Sequence, residues 1–231
     1  MMNKEFGRVL RVALAATALL GAQFAFSANV AVGDTIKLTD GFVGAQGPFK
    51  GTVLTGAATG NTFASFCVEF NEHFYYGQTL YVGGITDHTV SGITAPGPSQ
   101  TNDPLSAATA WLFTQYSNNT LSGYSQTASN NDALQNSIWA LEDEITYASL
   151  SGNAKTWFDA AKTATTGINA AWQGLGNVRV LNLFSNASFT GHAQDQIYMV
   201  SAVPEPSTYG MMLLGLGMIG TIARRRKNTR G

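Results

Sequence analysis

Cysteine is nearly missing from these 231 residues: Cys67 stands alone, beside three histidines, six prolines and only 12% charged side chains. With one thiol the chain cannot close a disulfide on itself, so the residue needs another account. His73, His88 and His192 are scattered without ligand spacing, which excludes a zinc site of the usual kind, and no other metal or cofactor is expected. No glycine-rich phosphate loop follows a strand pattern. Basic groups are scarce where they would matter. Eight of the 13 Lys and Arg lie at the two ends (Lys4, Arg8, Arg11, Arg224, Arg225, Arg226, Lys227 and Arg230), leaving 12 acidic against five basic groups between them, a net of −7. Such a surface offers no basic patch to a phosphate backbone, so nucleic acid is excluded as a partner. Cys67 lacks the local signature of a thiol protease, and no catalytic residue is assigned: the chain reads as a non-enzyme.

What is present begins at the ends. Lys4, Arg8 and Arg11 precede an apolar run at 12–22 and a small-x-small site, Ala25-Phe26-Ser27. That is the pattern of a signal peptide over 1–28. At the other end, Val203-Pro204-Glu205-Pro206-Ser207-Thr208 is stiffened by its prolines. An uncharged run follows, with a transmembrane helix expected over about 208–223, and Arg224-Arg225-Arg226-Lys227 closes it. The basic cluster keeps that end cytoplasmic. The run reaches roughly 22 Å against about 30 Å of hydrocarbon, a marginal span suited to a temporary hold. This arrangement resembles the PEP-CTERM sorting signal, with Pro204, Glu205, Pro206, Arg224, Arg225 and Arg226 as its matching residues. The resemblance implies a Gram-negative bacterial protein that the secretion machinery exports and an exosortase processes, in cells that make exopolysaccharide and biofilm.

Between the ends, ~175 residues suffice for one domain with a core. Residues 29–97 read as β-rich, with short alternating runs at 35–38, 51–54, 62–70 and 79–82. A breaker-rich loop at 95–100 ends this part. Residues 103–172 read as helical. Asp103 and Pro104 are expected to open a helix whose Ala108, Trp111, Leu112 and Tyr116 share a face. A second helix is expected from Ser129-Asn130-Asn131-Asp132, with Leu134, Ile138, Leu141 and Ile145 at helical spacing. A third is expected over 154–164. Strands return within 177–201, at 178–184 and 196–200. The order predicts an α+β fold: a β-sheet or barrel-like domain at 29–202 with a helical insertion, followed by the sorting tail at 203–231.

Alternation over 62–70 places Ala64, Phe66, Val68 and Phe70 on one face and Ser65, Cys67, Glu69 and Asn71 on the other. Cys67 is therefore expected on a polar face, although free cysteine is commonly a small core hydrophobe. Phe66-Cys67-Val68-Glu69, followed by Leu134-Gln135-Asn136-Ser137-Ile138-Trp139, resembles the Cys-Gln thioester domains of bacterial surface proteins. The second motif departs from the common Thr-Gln-x-Ala form at two of four positions. The resemblance implies a thioester cross-link with Cys67 giving the sulfur and Gln135 the acyl carbon, on a β-structure carrying a helical insertion. Gln135 is expected in the first or second helical turn, near free N–H groups that favour a thiolate and an oxyanion. Phe66, Trp139 and Trp111 are candidates to shield the bond, and Glu69 or His73 to move protons. Plain core packing is the competing account of both tryptophans. Glu142-Asp143-Glu144 reads as a solvated face rather than a calcium site or a glycosidase pair.

These readings converge on an exported, non-enzymatic surface or extracellular-matrix protein, held briefly in the membrane and processed by an exosortase. Its expected partners are exopolysaccharide or amine-bearing surface polymers, reached covalently through the thioester in an adhesive role. The alternative is a carbohydrate-binding module in which exposed aromatic rings stack on sugars and Cys67 is inert, with an exported hydrolase as a third reading.

Overall fold

The computed structural model describes residues 29–41, 46–90 and 102–201, together with Gly215, Leu216 and Ile219. The expected signal peptide, the loop at 95–100 and, apart from those three residues, the tail helix lie outside the described residues. Among the described residues no helix is long and apolar enough to cross a membrane.

Six antiparallel strands form one sheet: β1 (Thr35–Thr39), β2 (Phe49–Val53), β3 (Thr62–Ser65), β4 (Thr79–Thr86), β5 (Val178–Phe184) and β6 (His192–Met199). Their order is β3-β2-β1-β4-β5-β6. The two edge strands then meet. Ile197 N–H donates to the Phe66 carbonyl at 2.9 Å and Val68 N–H to the Asp195 carbonyl at 3.2 Å, with Cys67 bridged to Gln196 between them. The sheet thus curls into a barrel whose seam lies just past β3, and neither edge is left open there for another chain to pair with.

The helices enter between β4 and β5 and cover one side of this barrel. They are α1 (Ala107–Ser117), α2 (Ala128–Leu141) and α3 (Gly152–Thr165), with a 3₁₀ turn at Tyr147–Ser149. Two helix starts differ from expectation. Asp103 and Pro104 do not open α1; Thr89 N–H donates to the Asp103 carbonyl and Leu105 N–H to the Asp87 carbonyl, so 103–105 pair with 87–89 as a short ribbon. Ser106 is the cap, its Oγ accepting from Thr109 N–H at 3.1 Å. Likewise α2 is capped by Thr127, ahead of the Asn-rich stretch, because its Oγ1 accepts from Asn130 N–H.

Two large apolar clusters and a small third one (Ala140, Leu150 and Ala154) result. Phe66 and Val68 pack under the helices with Leu112, Phe113, Leu134, Ile138 and Trp157. Cys67 belongs to the other large cluster, with Ile36, Leu38, Leu80, Val82, Leu181 and Leu183. This corrects the expected polar face: Ser65, Cys67 and Glu69 are all buried, because the strand is covered on both sides. Only the first four residues of the expected 62–70 strand lie in the regular ladder.

Both ends of the domain leave together. Ser201 N–H donates to Asn29 Oδ1 at 2.7 Å, Asn29 Nδ2 donates to the Ser201 carbonyl, and Val30 N–H donates to Tyr198 Oη.

Two buried carboxyls hold backbone amides at the joints. Asp195 accepts from Val90 N–H, Asn182 Nδ2 and Leu183 N–H, where the β5–β6 register shifts. Glu142 accepts from Ser106 N–H at the start of α1. Burial outweighs these donors and pushes each carboxyl up to about 7. The folded state then holds more protons than the unfolded chain between the ordinary carboxylate range and about pH 7, so stability is full below that window and falls as pH rises through it. Urea unfolding of the mature chain is expected to give a lower midpoint at pH 8 than at pH 5, with Glu142→Gln flattening part of the slope. A midpoint that rises with pH across the window would contradict this assignment.

Candidate functional site

Cys67 sits where the barrel ladder runs out of strand. Its neighbours Phe66 and Val68 direct their backbone groups to β6, so the N–H and carbonyl of Cys67 face the β2 side. Register from the Phe49–Ser65 pair would set Gly47 opposite Cys67, but the β2 ladder begins only at Phe49, so Gly47 does not pair with it. A side chain takes over. Cys67 N–H donates to Gln135 Oε1 at 2.9 Å, and Gln135 Nε2 donates to the Cys67 carbonyl at 2.9 Å. The carboxamide therefore imitates the missing peptide and satisfies both backbone groups. Gln135 is fully buried.

Gly47 makes room for this arrangement. A Cβ there would lie 2.9 Å from Phe66 Cδ1 and 3.3 Å from Gln135 Oε1, on a backbone with φ of +129°. Gln135 is the eighth residue of α2, so the free N–H groups of the helix start are not its donors; the donor on its oxygen is Cys67 itself. Phe66, fully buried, packs edge-on to Phe113 and Tyr116 over the same region. Trp139 lies beside Cys67 in its cluster, whereas Trp111 packs on the helical cluster.

The sulfur meets Gln196, whose Nε2 donates to Sγ at 3.4 Å. Ser65 Oγ lies 2.9 Å from Gln196 Oε1 and 2.8 Å from the Ile197 carbonyl oxygen. Burial pushes the Cys67 thiol up to about 12; the Gln196 contact opposes this and the Glu69 carboxyl reinforces it. Glu69 is itself pushed up to about 10, by burial and by the carboxyls of Glu72, Asp195 and Glu144. Neither of its oxygens is hydrogen-bonded among the described residues, and neither is the buried Trp139 indole N–H.

Beside Cys67 opens a cleft of about 410 Å³, lined among others by Phe49, Phe70, Phe74, Tyr76, Trp139 and Gln194. His73 and Glu72 also lie on its wall, and no Lys or Arg does. The cleft is at the end of the barrel away from Asn29 and Ser201, beside the starts of β2, β4 and β6. The carboxylate run at 142–144 is not simply a solvated face: Glu142 accepts from the N–H of the α1 cap Ser106, and Glu144 Oε2 accepts from Phe70 N–H at 3.0 Å, tying the end of α2 to the cleft wall. No group of three or more His, Cys, Asp and Glu among the described residues is placed to hold a metal ion.

Gln196, Ser65, Gly47 and the ring cluster are the site residues that sequence reasoning did not reach. One signal pointed to the first: Gln194, Asp195 and Gln196 follow one another in a strand, and all three are buried.

Fold and site together define an α+β barrel domain with a buried Cys-Gln pairing at its seam. In the tail, residues 202–227 match the PEP-CTERM protein-sorting motif. The motif marks an exported protein that is anchored in the membrane for a time and processed by an exosortase. It includes Pro204, Glu205, Pro206, Arg224, Arg225 and Arg226. Comparisons with characterised proteins and with solved structures return no match.

Gly47→Ala is expected to destabilise the mature chain by about 1–3 kcal/mol, since it adds a contact on the carboxamide and a strained left-handed φ. Urea unfolding checks this; an unchanged midpoint would mean that Gln135 is not closely packed by Gly47.

Proposed function

We propose that the mature chain is a surface or matrix protein that attaches covalently to amines through a Cys67–Gln135 thioester. The observation that carries this reading is the doubly hydrogen-bonded pairing of the Gln135 carboxamide with the Cys67 backbone. N–H and Sγ of one residue are three bonds apart, so a group held by the first is held near the second. In the forming step Sγ bonds to the Gln135 acyl carbon, the carbon–nitrogen bond breaks, and the thiol proton leaves with nitrogen as ammonia. The Cys67 N–H already on Oε1 stays on that oxygen as it gains negative charge. Burial slows ionisation of the thiol, and the same burial keeps water from the finished bond.

An incoming amine then takes the acyl group, and its proton passes to sulfur. Gln135 ends as a substituted amide, so each molecule reacts once and the protein is an adhesive rather than an enzyme. The cleft favours this partner: aromatic rings and the Glu72 carboxyl, with no Lys or Arg among the described lining residues, draw an alkylammonium and repel anions. A second reading, a glycan-binding cleft with inert Cys67, draws on the exposed rings of Phe70 and Tyr76 on its wall.

Intact-mass spectrometry of the mature protein is expected to show a loss of one ammonia, and methylamine to add across the bond and release a free thiol. An unmodified mass with a readily alkylated Cys67 would remove the thioester. Cys67→Ala is expected to abolish covalent capture of amine-bearing polymers; retention on glycan unaffected by that change would favour the second reading. For the tail, deletion of 203–231 is expected to abolish processing and surface display, and unchanged display would overturn the sorting assignment.

A further inference from the structure

We infer that Gln196, held in place by Ser65, is the residue that makes the Cys67 sulfur reactive, by donating its Nε2–H to sulfur whenever sulfur carries negative charge. The inference rests on the thioester reading and adds to it a residue from a different part of the chain.

Sulfur is charged at two moments. It attacks as thiolate when the thioester forms, and it departs as thiolate when an amine takes the acyl group, before accepting the amine's proton. At both moments it lies in an apolar cluster with Leu80, Val82, Leu181 and Leu183, where an unsupported charge is costly. The neighbours on every side withhold help. From its own strand the nearest titratable group is Glu69; from the β3–β4 connection Glu72, His73 and Tyr76 face the cleft; α2 contributes Trp139 and β6 contributes Gln194, both uncharged. No Lys or Arg lines the cleft. Among the described residues, the polar contact on Sγ is the Gln196 carboxamide at 3.4 Å.

That carboxamide is fully buried and oriented. Ser65 Oγ stands 2.9 Å from its oxygen and 2.8 Å from the Ile197 carbonyl oxygen, and giving its one proton to Oε1 leaves the nitrogen end facing sulfur. The backbones agree, because Cys67 and Gln196 are bridged partners across the seam. A glutamine spent on a purely apolar inner position would cost stability for nothing, whereas a donor on sulfur lowers the thiol against the burial that raises it.

The test uses the full mature chain with Gln196→Leu and, as a milder change, Ser65→Ala. Two rates are measured: methylamine capture by intact mass, and alkylation of Cys67 against pH after methylamine treatment has freed the thiol. A hydrogen bond to a charged group is worth roughly tenfold or more, so Gln196→Leu is expected to slow capture by about that factor and to move the alkylation profile to higher pH. Ser65→Ala is expected to shift both in the same direction by less. Wild-type capture and a wild-type profile in either folded variant would overturn the assignment; if Gln196→Leu fails to fold, Ser65→Ala decides alone. The alkylation profile separates this proposal from the thioester itself. A wild-type chain that never loses ammonia sinks the thioester, while the thiol's titration in the two variants still shows whether Gln196 supports the sulfur.

Discussion

Closing an antiparallel sheet into a barrel requires each strand at the seam to find partners on both sides, and at Cys67 one side has none. Phe66 and Val68 bond to β6 across the seam, while β2 stops two residues short of where Cys67 would need it. A buried backbone N–H and carbonyl cannot be left alone without a penalty of the order of a lost hydrogen bond each. Gln135 supplies both partners from a helix, so the barrel, the helical insertion and the site depend on the same carboxamide. The fold's need for a substitute peptide is what brings the Gln135 carboxamide to the Cys67 backbone.

Environment and reactivity are opposed here. The apolar packing that would protect a thioester also holds the free thiol and the Glu69 carboxyl in their neutral forms. Polar groups that remain inside are accordingly specific: Ser65, Gln135, Gln194, Gln196 and Asp195 each have named hydrogen-bond partners. Glu69 and the Trp139 indole are the exceptions beside Cys67. Buried groups of this kind usually mark a place where stability has been traded for chemistry.

Much of the α+β order was legible because it rests on local period. β5 coincides with the run read at 178–184, and α3 extends the run at 154–164 by two residues at its start and one at its end. The sorting tail is legible for a different reason, since its features are contiguous and need no fold. Faces were harder. A period of two separates Ser65, Cys67 and Glu69 from Phe66 and Val68, but it cannot tell a solvent-facing side from the inside of a closed barrel, and the polar members turned out to be inside. Caps failed locally too, since Asp103 is engaged in a ribbon with 87–89 that no nearby residue announces. The polar run Gln194-Asp195-Gln196 hinted at Gln196, but its role comes from a seam partner 129 positions away and has no local signal.

The shared exit of Asn29 and Ser201 has a mechanical consequence. β6 runs from His192 near the cleft to Met199 near that exit, antiparallel to β5 along nearly its whole length. A load applied between Ser201 and the cleft end of β6 therefore runs along that strand's axis. Ladder hydrogen bonds lie across that direction. They must then slide as a set instead of opening one after another, and the Asn29 clasp on Ser201 sits where the pull enters. The domain is oriented to bear tension end to end.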